Sequence, residues 1–262
     1  MNEMKKTSYF IFIVLLALTA CDKDSLDSSS SFDTFLDNWE PLKSYQNGCI
    51  SATDAIKYPE PWTLEVAETF VISDETILSM STCGLLQTWL DYPPRALGPW
   101  CTYCSNLNLP GITIFNNDLQ ADNIAMELVG RNDCVTVLMS KYLSIIKTKE
   151  KPSGKERTFE MLLASDICMS VLNEKEKILF MAMALEKMSY ETDPVNETCH
   201  IMVAIMQACN FTPFLEEVGK NLRETMLGYT ISNASDGLLH TGLGDFSDII
   251  EKYAKQFLNE QN

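Results

Sequence analysis

Histidine is almost absent: His200 and His240 are the only two in 262 residues. That scarcity removes the side chain most often used for proton transfer and metal ligation near neutral pH. Basic residues are few as well, 20 Lys and Arg against 36 Asp and Glu, for a formal charge of −16. A surface of that sign repels phosphate backbones and anionic headgroups, which disfavours nucleic acid and acidic lipid as partners. There is no Gly-x-Ser-x-Gly, no His-Glu-x-x-His, no phosphate loop and no dinucleotide fingerprint, so no cofactor is expected. Strand signals are scarce too: Gly111 to Phe115 is the only β-like run, and no credible hairpin accompanies it.

What the chain has instead is helical periodicity, and the fold class it predicts is all-α. From Lys155 to Tyr229, four apolar stripes follow one another closely. Phe159, Leu162, Leu163, Ile167 and Val171 recur at offsets of three and four; Ile178, Met181, Ala182, Leu185 and Met188 form the next stripe. Ile201, Met202, Ile205, Met206 and Cys209 make the third, and Phe214, Leu215, Val218, Leu222 and Met226 the fourth. Asn173 suits an N-cap, with Glu174 and Glu176 behind it at the positive end of the helix dipole. Asp193-Pro194 and Thr212-Pro213 read as two further helix openings. Two such helices with their turns make a unit of roughly 40 residues, which suggests stacked antiparallel pairs, HEAT-like in the C-terminal half, or a plain bundle.

The N-terminus predicts export. Lys5 and Lys6 precede an apolar run from Tyr9 to Leu18, about ten residues and so too short to cross a hydrocarbon core of about 30 Å. Leu18-Thr19-Ala20-Cys21 resembles the bacterial lipobox, which implies cleavage after residue 20, acylation of Cys21 and anchoring of the mature chain to a membrane through that lipid. Cys21-Asp22-Lys23-Asp24 loosely resembles the acidic signals that direct Bacteroidetes lipoproteins to the outer membrane and its outer face, which favours a cell-envelope or cell-surface location. Residues 21–31 are rich in Asp and Ser, the composition of a solvated tether, and 32–262 read as one helical domain. The charged stretch at 147–155, with Pro152, Ser153 and Gly154, is the best sub-boundary within it.

Along the tethered domain, Trp62 to Val71 can form one helix. Ser73 is placed to cap another, with Ile77, Leu78, Leu85, Leu86, Trp89 and Leu90 on one side until Pro93 and Pro94 stop it. Residues 95–117 lose periodicity and carry Trp100, Tyr103 and Phe115, which marks a binding loop, since loops of this length in compact domains tend to be functional. Helices resume from Leu119 through Leu128 to Gly130. Val135, Leu138, Met139, Tyr142, Leu143 and Ile146 then give the cleanest amphipathic pattern in the chain. A last stripe follows Asp245: Phe246, Ile249, Ile250, Tyr253 and Phe257. Glu127 and Arg131, four apart with the acid first, suit a surface ion pair.

Two stretches carry a family resemblance. Ser81-Thr82-Cys83-Gly84-Leu85-Leu86-Gln87-Thr88-Trp89-Leu90-Asp91-Tyr92-Pro93 is one; Phe115-Asn116 with Glu127-Leu128, Arg131, Asp133, Leu138 and Tyr142 is the other. Both resemble blocks of an uncharacterised family of exported helical bacterial lipoproteins of Bacteroidetes type. The resemblance implies a helical fold in which the 74–146 region is an inseparable part of the domain. The family has no assigned activity, so no catalytic residue is carried over. Trp89 and the Trp100 to Cys104 segment depart from its pattern.

Trp100-Cys101-Thr102-Tyr103-Cys104 is the sharpest chemical motif, since Trp-Cys-x-x-Cys resembles a thioredoxin-type redox site. That chemistry needs the first thiol at a helix N-terminus behind a strand, and the prolines on either side forbid both neighbours. A local disulfide or buried thiols at Cys101 and Cys104 fit better. With Cys21 set aside, Cys49, Cys83, Cys101, Cys104, Cys134, Cys168, Cys199 and Cys209 remain; the last three sit among helical core residues and suit apolar filler. Cys199-His200 cannot chelate zinc as a Cys-x-x-Cys pair does. His240 with Asp236 and Asp245 nearby, and Asp166 on an apolar face, are the remaining candidates for acid–base work, and each reads more simply as a surface or core residue. These observations favour a lipid-anchored binding or scaffold module for a protein or peptide. The alternative is an enzyme acting on an envelope or extracellular substrate, with the 95–117 loop over its pocket.

Overall fold

A computed structural model describes residues 52–93, 118–148, 153–190, 197–218 and 244–260. Among these residues every regular element is an α-helix and no strand occurs. The first group is α1 (Leu64–Thr69), α2 (Asp74–Ser79) and α3 (Thr82–Asp91), followed by α4 (Asn123–Gly130) and α5 (Cys134–Thr148). The second is α6 (Gly154–Leu163), α7 (Asp166–Val171), α8 (Glu174–Tyr190), α9 (Glu197–Ala208), α10 (Thr212–Val218) and α11 (Gly244–Glu260).

Serine N-caps set the segmentation. Ser73, Ser81, Ser153 and Ser165 accept the backbone N–H groups of Thr76, Gly84, Glu156 and Cys168, starting α2, α3, α6 and α7. Each such cap is worth about 1 kcal/mol, because it satisfies a donor the helix leaves orphaned. Two of them cut runs that periodicity alone reads as continuous. The Ser73-capped run breaks at Met80-Ser81 into α2 and α3, and the first stripe of the C-terminal half breaks at Ala164-Ser165 into α6 and α7. Leu78 and Val171, expected on the inner stripes, are therefore 62% and 37% exposed. Asn173 and Glu176 cap α8 reciprocally, Asn173 Oδ1 accepting from Glu176 N at 3.1 Å and Glu176 Oε2 from Asn173 N at 2.8 Å.

The centre of the domain is α9, which packs against α6, α7, α8 and α11. Ile201 to Met206 are buried without exception, so the third stripe is in fact a helix enclosed on all sides. Phe211 and Phe214, at and beyond its end, meet Phe257 and Tyr253 of α11 edge to face, with centroids 5.4 and 6.0 Å apart. Contacts also cross the 147–155 stretch: α6 packs on α3 and α8 on α5, Lys155 Nζ reaches Asp91 Oδ1 at 2.6 Å, and Tyr190 donates to the Ile146 carbonyl at 3.0 Å. The Glu127–Arg131 ion pair forms, and Arg131 Nη2 also donates to the Leu78 carbonyl at 3.0 Å, tying α4 to the C-terminal end of α2.

Candidate functional site

A strap ahead of α1 lies along α3 and builds one wall of a surface cleft. Asp54 accepts the Ser81 N–H and, at 2.8 Å, the Ser81 hydroxyl; the backbone N–H of Ile56 donates to Thr88 Oγ1 at 2.8 Å. Tyr58 donates its hydroxyl to the Thr88 carbonyl at 3.2 Å, in the last turn of α3, where backbone acceptors lack helical partners. The Ser81 N–H holds the exposed Asp54 carboxyl below its ordinary range; partial desolvation opposes this and the Ser81 hydroxyl adds to it.

Strap and helix together position four aromatic rings. Tyr58 lies 5.5 Å from Trp62, 5.3 Å from Phe70 and 5.7 Å from Tyr92, while Trp62 meets Phe70 and Tyr92 edge-on at 5.8 and 5.6 Å. Tyr58, Phe70 and Tyr92 line an open cleft of about 430 Å³, together with Val71, Ile72 and Ile77. Its opposite rim is Asp118, Asp122, Asn123 and Ile124, from the approach to α4 and its first turn. Val71, at 82% exposure, is the most exposed large apolar side chain described.

The rim is rigid where Asp122 holds it. One carboxylate oxygen caps α4 by accepting from Ile124 N and Ala125 N at 3.0 and 3.2 Å, and the other accepts the Trp89 indole N–H at 3.0 Å. Trp89 is wholly buried, and its bond to Asp122 locks α3 to the cleft's far rim. Asp118 is exposed, and its carboxylate makes no side-chain hydrogen bond or ion pair among the described residues.

A second polar constellation lies in the core. Glu160 of α6 is fully buried, and its Oε1 receives Lys187 Nζ at 2.8 Å, Thr198 Oγ1 at 2.9 Å and the Tyr142 hydroxyl at 3.2 Å. Lys187 Nζ and Thr198 Oγ1 are 3.2 Å apart, while Glu160 Oε2 is buried with no hydrogen-bond partner among the described residues. The side chains of Glu160 and Lys187 are 0% and 3% exposed. Four helices, α5, α6, α8 and α9, meet at this carboxylate, and any slip between them would leave a charge stranded in low dielectric.

The candidates singled out in the sequence fare differently. Cys21, Cys49, Trp100, Cys101, Tyr103, Cys104, Phe115, Asp236 and His240 lie outside the described residues. Asp166 is not a buried acid; it is exposed in the first turn of α7, where it faces the helix dipole. His200 is buried in α9 beside Cys199, and among the described residues no three His, Cys, Asp or Glu side chains gather as a metal site would need. Cys83, Cys134, Cys168 and Cys199 are buried, reduced cysteines, and Cys209 is half-buried. Burial raises the Cys134 thiol to about 12, helped by Asp133, and Cys209 to about 11, helped by Glu174. Cys134, Cys168 and Cys209 are all shifted upward, the opposite of a nucleophilic thiol.

The cleft residues and the Glu160 cluster went unmarked in the sequence. Glu160 and Lys187 stand among apolar neighbours, and Lys187 follows Phe180, Met183 and Ala184 at helical spacing; a lysine continuing the deepest face of α8 was the available signal. Among the described residues no helix is long and apolar enough to cross a membrane. Comparison with protein families, with curated proteins and with solved structures finds no match for this chain.

Proposed function

We propose that this chain is a lipid-anchored envelope protein, held to the outer membrane or the cell surface through acylated Cys21, whose helical domain docks a protein or peptide partner in the cleft beside α3. The observation that carries the reading is the contrast between two constellations. Among the described residues, the convergent ionisable set around Glu160 is sealed in the core, its ion pair at 0 to 3% exposure, where no substrate reaches it. The cleft beside α3, in contrast, is open, walled by aromatic rings and edged by carboxylates, as recognition surfaces are. HEAT-like stacking of the C-terminal helix pairs belongs to the same proposal, supported by the packing of α8 on α9 and of both on α11.

The test places a photo-crosslinking amino acid at Val71, on the cleft, or at Ser144, exposed on α5, in the protein expressed in its own cells. The reading expects a discrete adduct from position 71 and none from position 144, with Cys21 carrying acyl chains in the mature N-terminal peptide. An unmodified N-terminus, or the same adducts from both positions, would overturn it.

A further inference from the structure

The charge distribution around the cleft identifies the chemistry of what enters it. Between Lys57 and Arg95 there is no lysine or arginine, whereas Glu60, Glu65, Glu68, Asp74, Glu75 and Asp91 are present, the last paired with Lys155. The second wall repeats the bias: residues 118–130 hold Asp118, Asp122 and Glu127 and no basic residue. Arg131, the first cation beyond, is occupied by Glu127 and the α2 carbonyls. The cleft therefore combines three aromatic rings, an aliphatic floor at Ile72 and Ile77, and a one-signed rim ending in the exposed Asp118 carboxylate.

We infer that the cleft takes a cationic peptide segment, an arginine or lysine flanked by apolar anchors, with the cation between Asp118 and the Tyr58, Phe70 and Tyr92 rings. This rests on the cleft being a docking surface and names the class of segment it accepts. The argument is charge complementarity added to ring chemistry. A guanidinium or ammonium gains from aromatic faces and from a carboxylate in a partly desolvated concavity, while its aliphatic stem covers apolar wall. An acidic segment of the same shape would meet like charge at Asp118 and Asp122, and a purely aliphatic one would leave Asp118 without a counter-charge.

The test is isothermal titration of the mature protein with a capped peptide of alternating leucine and arginine, and with the same peptide carrying glutamate for arginine. The arginine peptide is expected to bind at least about tenfold more tightly, and Asp118→Lys to weaken it at least about fivefold without changing the melting temperature. Asp166→Lys, an equal charge change at the exposed start of α7, serves as the control for non-specific attraction and should leave the affinity unchanged. Equal binding of the two peptides, or equal effects of the two substitutions, would overturn the inference. An adduct at position 71 that excess glutamate peptide suppresses and excess arginine peptide does not would overturn the cationic class while leaving the docking surface standing. Loss of the position-71 adduct altogether would remove both.

Discussion

Lys187 Nζ stands 2.8 Å from Glu160 Oε1 in the core, with both side chains shut off from solvent. The pair is no simple source of stability, because desolvating two charges offsets most of their attraction. Removing one partner is a different matter. Lys187→Met alone and Glu160→Leu alone should each lower the unfolding free energy by about 3–5 kcal/mol, whereas the double variant should recover most of that loss. Urea unfolding of the four proteins in a double-mutant cycle checks it; additive losses would show that the charges act independently.

Acid should act through Asp54. Its folded carboxyl is held below the ordinary range by the Ser81 N–H, so the stability it contributes is present above the unfolded carboxyl pKa and is lost as pH falls through the folded one. Asp54→Asn should therefore show a flatter decline in melting temperature on the acid side of about pH 4 than the native chain, with the neutral-pH difference narrowing as the pH falls.

Gly84 makes room for the same contact. A Cβ built on it would lie 2.2 Å from Asp54 Oδ1, so Gly84→Ala forces the carboxylate off the Ser81 cap. Alanine would otherwise gain about 1 kcal/mol in a helix. Gly84→Ala should thus be less favourable in the native background than in Asp54→Ala, by at least about 1 kcal/mol, since the second background has no cap contact to lose. Equal effects in both backgrounds, measured by chemical denaturation, would dissociate the glycine from the strap.

Alkali should act through the buried thiols. Cys134 ionises near 12 in the folded protein against an ordinary value of 9.0, and Cys168, with burial first and Cys134 beside it, is also raised. A folded pKa above the unfolded one means stability intact below about pH 9 and falling as pH rises towards the folded value. Cys134→Ala should flatten that alkaline decline. In the native protein at pH 8, iodoacetamide should label Cys209 slowly, its thiol ionising only near 11, and should spare Cys83, Cys134, Cys168 and Cys199 until the chain unfolds.

The helical class, the Ser73 and Asn173 caps and the inward face of α5 could all be read from residue spacing, because a 3.6-residue period and a capping side chain are local properties. The breaks at Ser81 and Ser165 could not, since a serine within a helical run is compatible with continuation as well as with a new start. The cleft was hidden for another reason. Tyr58 and Thr88 are 30 residues apart, and their bond, like that between Trp89 and Asp122, exists only once the helices are packed. The α8 stripe read from hydrophobicity was displaced for a related cause: Lys187 counts as polar in a pattern, yet finds its counter-charge on α6 and so belongs to the most deeply buried side.

The contacts that cross the 147–155 stretch have a practical consequence. α3 with α6, α5 with α8, Lys155 with Asp91, Tyr190 with Ile146 and Tyr142 with Glu160 all join residues before position 149 to residues after position 152. A single peptide-bond cut between residues 148 and 153 should leave two fragments that stay together and co-elute. Expressed separately, neither would retain the other's half of the shared core, so the chain lends itself to a split pair whose reassembly restores the fold.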